Sequence, residues 1–288
     1  MAIQYQVTIR DICRTALRRA GQPAPSDAQV TDAIGNQFQE VKNDIKAKAG
    51  THKLLLTSEV TVTAVGVRSY TQPSTVHEVK AIDVFDGPDA WRGTAQTGAS
   101  ASITLASTVG EDEASLQGKQ VFTLSGTGSL QWKYITAWNN STKVATVHSA
   151  WTTTPDSTTT YLVANYKRQV LNRSNDELRY DQYQFGHTTD PRLAALEGET
   201  LWLAQPPDKI YPLIWTYYKD IDQIDEDDSL FEKMLREWRS VFIEGVTAKS
   251  MVLHDDTRQY DHYGGVYGNM LKELARETLT ITQTVPYD

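Results

Sequence analysis

Ile9, Ile12, Ala16, Leu17 and Ala20 recur at helical spacing. Thr8 can cap that helix, with Asp11 at its third position, and Gly21 can end it. Ser26 and Gln29 form a capping box after Pro25. Val30, Ile34, Phe38, Val41, Ile45 and Ala49 then make one apolar stripe, and Gly50 stops it. Two amphipathic helices joined by "GQPAPS" predict an antiparallel hairpin.

From Leu54 the period changes. Val60, Val62 and Ala64 alternate with polar residues, and a second strand is expected over Val79–Phe85, closed by Asp86-Gly87. Between about Thr94 and Asn165 the chain is rich in Thr, Ser, Gly and Ala. Strand-like runs lie there at Ser102–Ala106, Gln120–Leu124, Trp132–Ala137, Lys143–Val147 and Thr159–Val163. The last two read as a hairpin joined by a Thr-rich loop around Pro155. Past Asn165, Thr200–Ala204 and Tyr211–Tyr217 read as a second hairpin across "QPPDK".

Ser229 and Glu232 open one long amphipathic helix reaching about Leu253. Another follows Asp255 or Asp256, with Tyr260, Tyr263, Tyr267, Leu271 and Leu274 on one face. The last stretch, "TLTITQTVPYD", alternates like a strand and ends near Pro286.

The pattern predicts an α+β chain. Its core, residues 1–93 and 166–288, holds antiparallel helices, namely an N-terminal hairpin and two long C-terminal helices, with a small antiparallel sheet. Residues 94–165 form an inserted all-β sandwich or barrel, because loop tips accept such insertions.

Composition narrows the function classes. Hydrophobic residues are 40% and charged residues 22%, which places the chain among globular proteins rather than disordered ones. No apolar run approaches the ~20 residues of a membrane span, so no membrane anchor is expected. The N-terminus lacks the basic and apolar regions of a secretion signal, so synthesis in a cytoplasm is expected. The formal net charge of -8 disfavours a tight grip on phosphate backbones, yet suits DNA that slides past. Cys13, the single cysteine, falls on an apolar helix face and reads as a buried hydrophobe.

Catalytic signals are weak. The densest cluster, "HDDTRQYDH", sets His254, Asp255, Asp256, Asp261 and His262 near one another without a metal-ligand motif. "DIDQIDEDDS" lacks the glycine and terminal glutamate of a calcium loop, and its acids suit a helix N-terminus instead. No cofactor, metal or enzymatic activity is expected. Arg10, Arg14 and Arg18 repeat every fourth residue on one helix face, a solvated surface or an interface.

The C-terminal half carries a recognisable order of elements. "LEGETLWLAQPPDKIYPLIWTYYKDI", an acidic spacer, and "SLFEKMLREWRSVFIEGVTAKSMVLHDDTRQYDHYGGVYGNMLKEL" resemble head-to-tail adaptor (connector) proteins of tailed bacteriophages, especially short-tailed ones. The opening helices and "HEVKAIDVFDGPDAW" fit the same plan. Residues 94–165 are similar to β modules that recur as inserts in phage virion proteins.

The resemblance implies a structural virion protein in the neck. It would form a homo-oligomeric ring, a dodecamer, under the portal, extend the DNA channel and carry the tail, nozzle or tail-fibre proteins. Genomic DNA would slide through transiently. It further implies portal binding by the C-terminal tail, with Leu279, Ile281, Val285 and Tyr287 as contacts. Arg10, Arg14 and Arg18 of one protomer would meet Asp222, Asp225, Asp227 and Asp228 of the next across a closing interface. The alternatives are a tail or fibre protein binding a surface glycan through 94–165, and a wall hydrolase using the His254–His262 cluster.

Overall fold

The computed structural model describes residues 8–110, 115–170, 188–224, 229–252 and 257–280. The chain divides into two compact units. One takes the described residues of 1–57, 75–78 and 217–288; the other takes those of 58–74 and 79–216.

The first unit is helical. Helix α1 spans Ile9–Arg19, α2 Asp27–Gly35 and α3 Gln37–Ala49. From the other end of the chain come α4 (Ser229–Glu237), α5 (Arg239–Val252) and α6 (Thr257–Thr280). At α1 and α2 the caps are those the sequence predicts. Thr8 Oγ1 accepts from the Asp11 amide at 3.2 Å, and Ser26 and Gln29 form a reciprocal capping box.

Two expected helices are kinked instead of continuous. The α2–α3 stripe is interrupted at Asn36, whose backbone is distorted within the right-handed region (φ −113°, ψ −74°) and whose amide Nδ2 donates to Asp32 at 2.8 Å. Backbone bonds still run through it, from Asn36 N to Asp32 O and from Glu40 N to Asn36 O. Trp238 separates α4 from α5 in the same way, with Trp238 N on Met234 O and Phe242 N on Trp238 O. The first residues of the predicted extended run, Thr278–Thr280, are helical instead. Helix α6 continues through Thr280, because strand propensity is a weak preference that an existing helix overrides.

One apolar core joins both ends of the chain. Ile12 and Ala16 of α1, Phe38, Val41 and Ile45 of α3, Phe242 and Val246 of α5, and Leu271 and Leu274 of α6 belong to it. Phe38 and Phe242 stack with centroids 4.9 Å apart and planes at 19°. Helices α3, α5 and α6 approach closely at Gly245, where an added Cβ would lie 2.7 Å from Val41 Cγ2 and 2.8 Å from Tyr267 Cε2. Cys13 is wholly buried in this core, and burial pushes its thiol up to about 12, which leaves it unreactive as a nucleophile.

The second unit is built on strands. In chain order these are β1 (Leu56–Val62), β2 (Ser69–Thr71), β3 (Val76–Asp86), β4 (Arg92–Thr94), β5 (Thr97–Ala99), β6 (Ser102–Thr104) and β7 (Gln120–Ser125). Then follow β8 (Trp132–Asn139), β9 (Val144–Val147), β10 (Thr160–Ala164), β11 (Tyr166–Gln169), β12 (Ala194–Glu197), β13 (Thr200–Leu203) and β14 (Pro212–Lys219). They form a four-stranded sheet (β1-β14-β3-β11), a seven-stranded sheet (β4-β10-β7-β8-β9-β6-β5) and a three-stranded sheet (β12-β13-β2).

This corrects the expected fold class. Among the described residues the chain is a mixed, β-rich fold with three antiparallel sheets, one of seven strands, not a mainly helical core with one small sheet and an inserted all-β module. The reason lies in pairing. Strands that looked like local hairpins find distant partners: β14 lies between β1 and β3, and β13 pairs antiparallel with β2 from more than a hundred residues earlier. Alternation fixes which face of a strand is buried, but not which strand it joins.

The expected β9–β10 hairpin is absent for a related reason. β9 pairs with β8 and β6, whereas β10 pairs with β7 and β4. The Thr-rich connection is too long for a tight hairpin and is tied down on its own account. Trp151 is buried in it and donates Nε1–H to Ser102 O at 3.2 Å. Gln131 Oε1 accepts from Thr152 N at 2.7 Å. The expected hairpin across "QPPDK" fails likewise, since β13 and β14 join different sheets.

All strands of the seven-stranded sheet fall within residues 92–164. One of its faces shares a core with the four-stranded sheet, where Phe122, Leu124, Leu162 and Ala164 pack with Val60, Phe85 and Ile214.

Candidate functional site

The arginine stripe lies on α1, as its spacing requires, but it is partly occupied within the chain. Asp27, at the start of α2, pairs with Arg14 at 3.1 Å and with Arg10 at 3.5 Å. Arg18 makes no ion pair among the described residues and is exposed. Arg19, which the periodic reading passed over, pairs with Glu244 of α5. All of these groups except Glu244 are well exposed, so each pair adds only ~0–1 kcal/mol.

Of the acidic segment, Asp222 has a partner inside its own unit. Lys46 Nζ lies 2.6 Å from Asp222 and 2.9 Å from Asp220. These two carboxylates raise the Lys46 ammonium above its ordinary value by accepting its hydrogen bonds. Asp225, Asp227 and Asp228 lie outside the described residues. Leu279 falls in the last turn of α6, and Ile281, Val285 and Tyr287 lie outside the described residues.

Most of the histidine cluster cannot be placed among the described residues. His254, Asp255 and Asp256 lie outside the described residues, and His262 is exposed, with its ring edge-on to Tyr263. Among the described residues, no group of three or more His, Cys, Asp or Glu side chains is placed to hold a metal. Among them, no helix is long and apolar enough to cross a membrane.

Two polar arrangements were not legible in the sequence. The first centres on Asp86, at the end of β3 and 6% exposed. Its Oδ1 accepts from Arg92 Nη2 at 2.6 Å and from Gly87 N at 2.7 Å. Its Oδ2 accepts from Tyr166 at 3.1 Å and lies 3.3 Å from Lys209 Nζ. Burial pushes the Asp86 carboxyl up, but Arg92, the Gly87 amide and Lys209 together outweigh it and hold the group below its usual range. Arg92 also donates to Ile210 O and sits over the Tyr211 ring. The cluster thus ties β3, β4, β11 and the chain entering β14. The Asp-Gly-Pro-Asp-Ala-Trp-Arg run marks a turn, but the partners 80 and 123 residues away carry no local signal.

The second is a cleft of about 320 Å³ in the helical unit, lined by His52, Trp238, Glu237, Glu273 and Glu277. His52 is buried. Its Nδ1 accepts from Leu54 N at 3.1 Å, so Nε2 carries the proton and donates to Glu277 Oε2 at 3.2 Å. Its ring meets Trp238 edge-on at 5.2 Å. These contacts close the 3₁₀ turn at Lys53–Leu55 against α6, a positioning role.

On the seven-stranded sheet, Trp132, Tyr134 and His148 make a run of edge-on rings at 5.3 and 5.7 Å, and Tyr134 is exposed.

No protein-family model matches this chain, and no curated protein matches its sequence.

Proposed function

We propose that this chain is the repeating subunit of a head-to-tail adaptor ring in a tailed bacteriophage, seated under the portal and carrying the tail. One observation supports the reading most. Helices from both ends of the chain, α1–α3 and α4–α6, share a single apolar core, and the β-rich segments are spliced between them. That order matches the plan of the adaptors the sequence resembles. A subunit whose first three and last three described helices share one core can repeat side by side through that body and vary its inserted strands freely. The acidic balance of the chain suits a channel through which DNA slides.

Portal docking is proposed for the C-terminal tail, through Leu279, Ile281, Val285 and Tyr287. Three of these four residues lie beyond Thr280, the last residue of α6. Ending the chain after Thr280 is therefore expected to keep the helical signal and thermal midpoint unchanged and to weaken attachment to portal-containing heads by tenfold or more, since each protomer's loss is multiplied around a ring. Cosedimentation with such heads reads it. Unchanged attachment of the truncated chain would remove the tail from the interface.

A further inference from the structure

Two buried polar side chains of the helical unit face one cavity with atoms that bond nothing. Gln37 opens α3 and is 7% exposed; Ser250 lies near the end of α5 and is 2% exposed. Gln37 Oε1 and Ser250 Oγ make no hydrogen bond among the described residues. Both line a cavity of about 330 Å³, walled by Leu17, Ala28 and Ala33, with Asp32 at its exposed edge. A buried polar atom without a partner forfeits its hydration for no return, so a fold seldom leaves two at one place.

The polarity of the cavity limits what fills it. Gln37 Oε1 can only accept, and Ser250 Oγ accepts or donates. Asp32 brings a carboxylate, of which Oδ1 already accepts from Asn36 at 2.8 Å. No lysine or arginine lines the cavity. Gln22 and Gln29 line it too, with side-chain amides that donate as well as accept, so Asp32 brings the one formal charge among the lining residues, beside an apolar wall. An anion would meet Asp32, and a purely apolar group would leave both buried oxygens unpaired.

We infer that this cavity binds a primary ammonium or guanidinium group on a short apolar stem. The stem packs on Leu17, Ala28 and Ala33. The cationic head donates to Gln37 Oε1 and Ser250 Oγ, and Asp32 balances its charge. The same chemistry is offered by a free small amine and by a lysine or arginine of a second copy of this chain. The inference stands on the cavity alone and does not depend on the adaptor reading.

The test titrates the full chain with n-butylammonium and n-butylguanidinium chloride, with n-butanol in matched sodium chloride as control. The Gln37 side-chain amide and the Ser250 backbone amide are followed by NMR. A saturable shift with either cation and none with butanol is expected. Asp32→Asn, an exposed change, and Ser250→Ala, which removes one oxygen, are each expected to weaken cation binding about tenfold. No shift, equal shifts with butanol, or shifts indifferent to both variants in a chain of unchanged thermal midpoint would overturn the proposal and leave a cavity that holds only water. Sedimentation identifies the source. If Asp32→Asn or added butylguanidinium dissociates a self-assembly, the natural occupant is a basic side chain of a second copy. If self-assembly is indifferent while cation binding falls, the occupant is a free amine.

Discussion

Replacing Phe242 by alanine is expected to destabilise the helical unit by about 3–5 kcal/mol. Phe242 is fully buried on α5 and stacks on Phe38 of α3, which is buried as deeply. Truncation removes the transfer energy of the ring and leaves a cavity between helices that come from opposite ends of the chain. Nearby relaxation is limited. Gly245, one turn away, already lets α5 approach within van der Waals contact of Val41 and Tyr267, so the helices have no slack to close over the gap. Arg18→Ala on exposed α1 serves as the control and is expected within ±0.5 kcal/mol. Urea denaturation read at 222 nm gives both values. A Phe242→Ala cost below about 1 kcal/mol would show that the two ends do not share a core.

Removing the Asp86 carboxylate is expected to cost about as much, ~3–5 kcal/mol at neutral pH for Asp86→Ala, because Arg92 and Lys209 keep their charge near a site that no longer answers it. The double variant Asp86→Ala with Arg92→Met is expected to cost less than the sum of its parts, since the two groups act as one arrangement. The pH dependence follows from the direction of the Asp86 shift. Its folded value lies below the ordinary carboxylate value near 4, despite burial pushing it up, because Arg92, the Gly87 amide and Lys209 favour the charged form. That contribution is fully present above about pH 4, the unfolded value, and is lost as pH falls through the lower folded one. Asp86→Asn is expected to flatten this part of the acid limb, below about pH 4. An acid limb identical to that of the unaltered chain would assign the dependence to other carboxylates.

Local features were legible in the sequence because they are decided locally. Thr8 with Asp11 and Ser26 with Gln29 cap their helices within four residues, and the structure places both caps where the spacing does. The five strand-like runs between 102 and 163 all lie on observed strands, since β-branched alternation reports a half-buried pleat. What failed was partnership. β9 and β10 are consecutive in the chain yet belong to different neighbours in the sheet, because Trp151 anchors the loop between them to Ser102. β13 and β14 separated for want of any signal that β2 and β3 were their partners. The same holds for the polar groups. The arginine stripe is visible as a period of four, but nothing in the local pattern marks Asp27, across the α1–α2 connection, as its partner. Asp86, Arg92, Tyr166 and Lys209 are ordinary residues in sequence and become one cluster only after three sheet segments meet. Gln37 and Ser250 were invisible for a similar reason: each interrupts an apolar stripe by one polar residue, and only packing makes both face one cavity.

The ring is the central claim, and its mass is the most direct measure of it. One chain weighs 32.3 kDa, so the twelve copies implied by the resemblance give about 388 kDa. Mass photometry of the purified chain, alone and then mixed with the portal protein that the proposal gives it as partner, is predicted to show a closed multiple of the subunit near that mass, added to the portal as a single step. A species that stays at 32.3 kDa in both conditions would contradict the account.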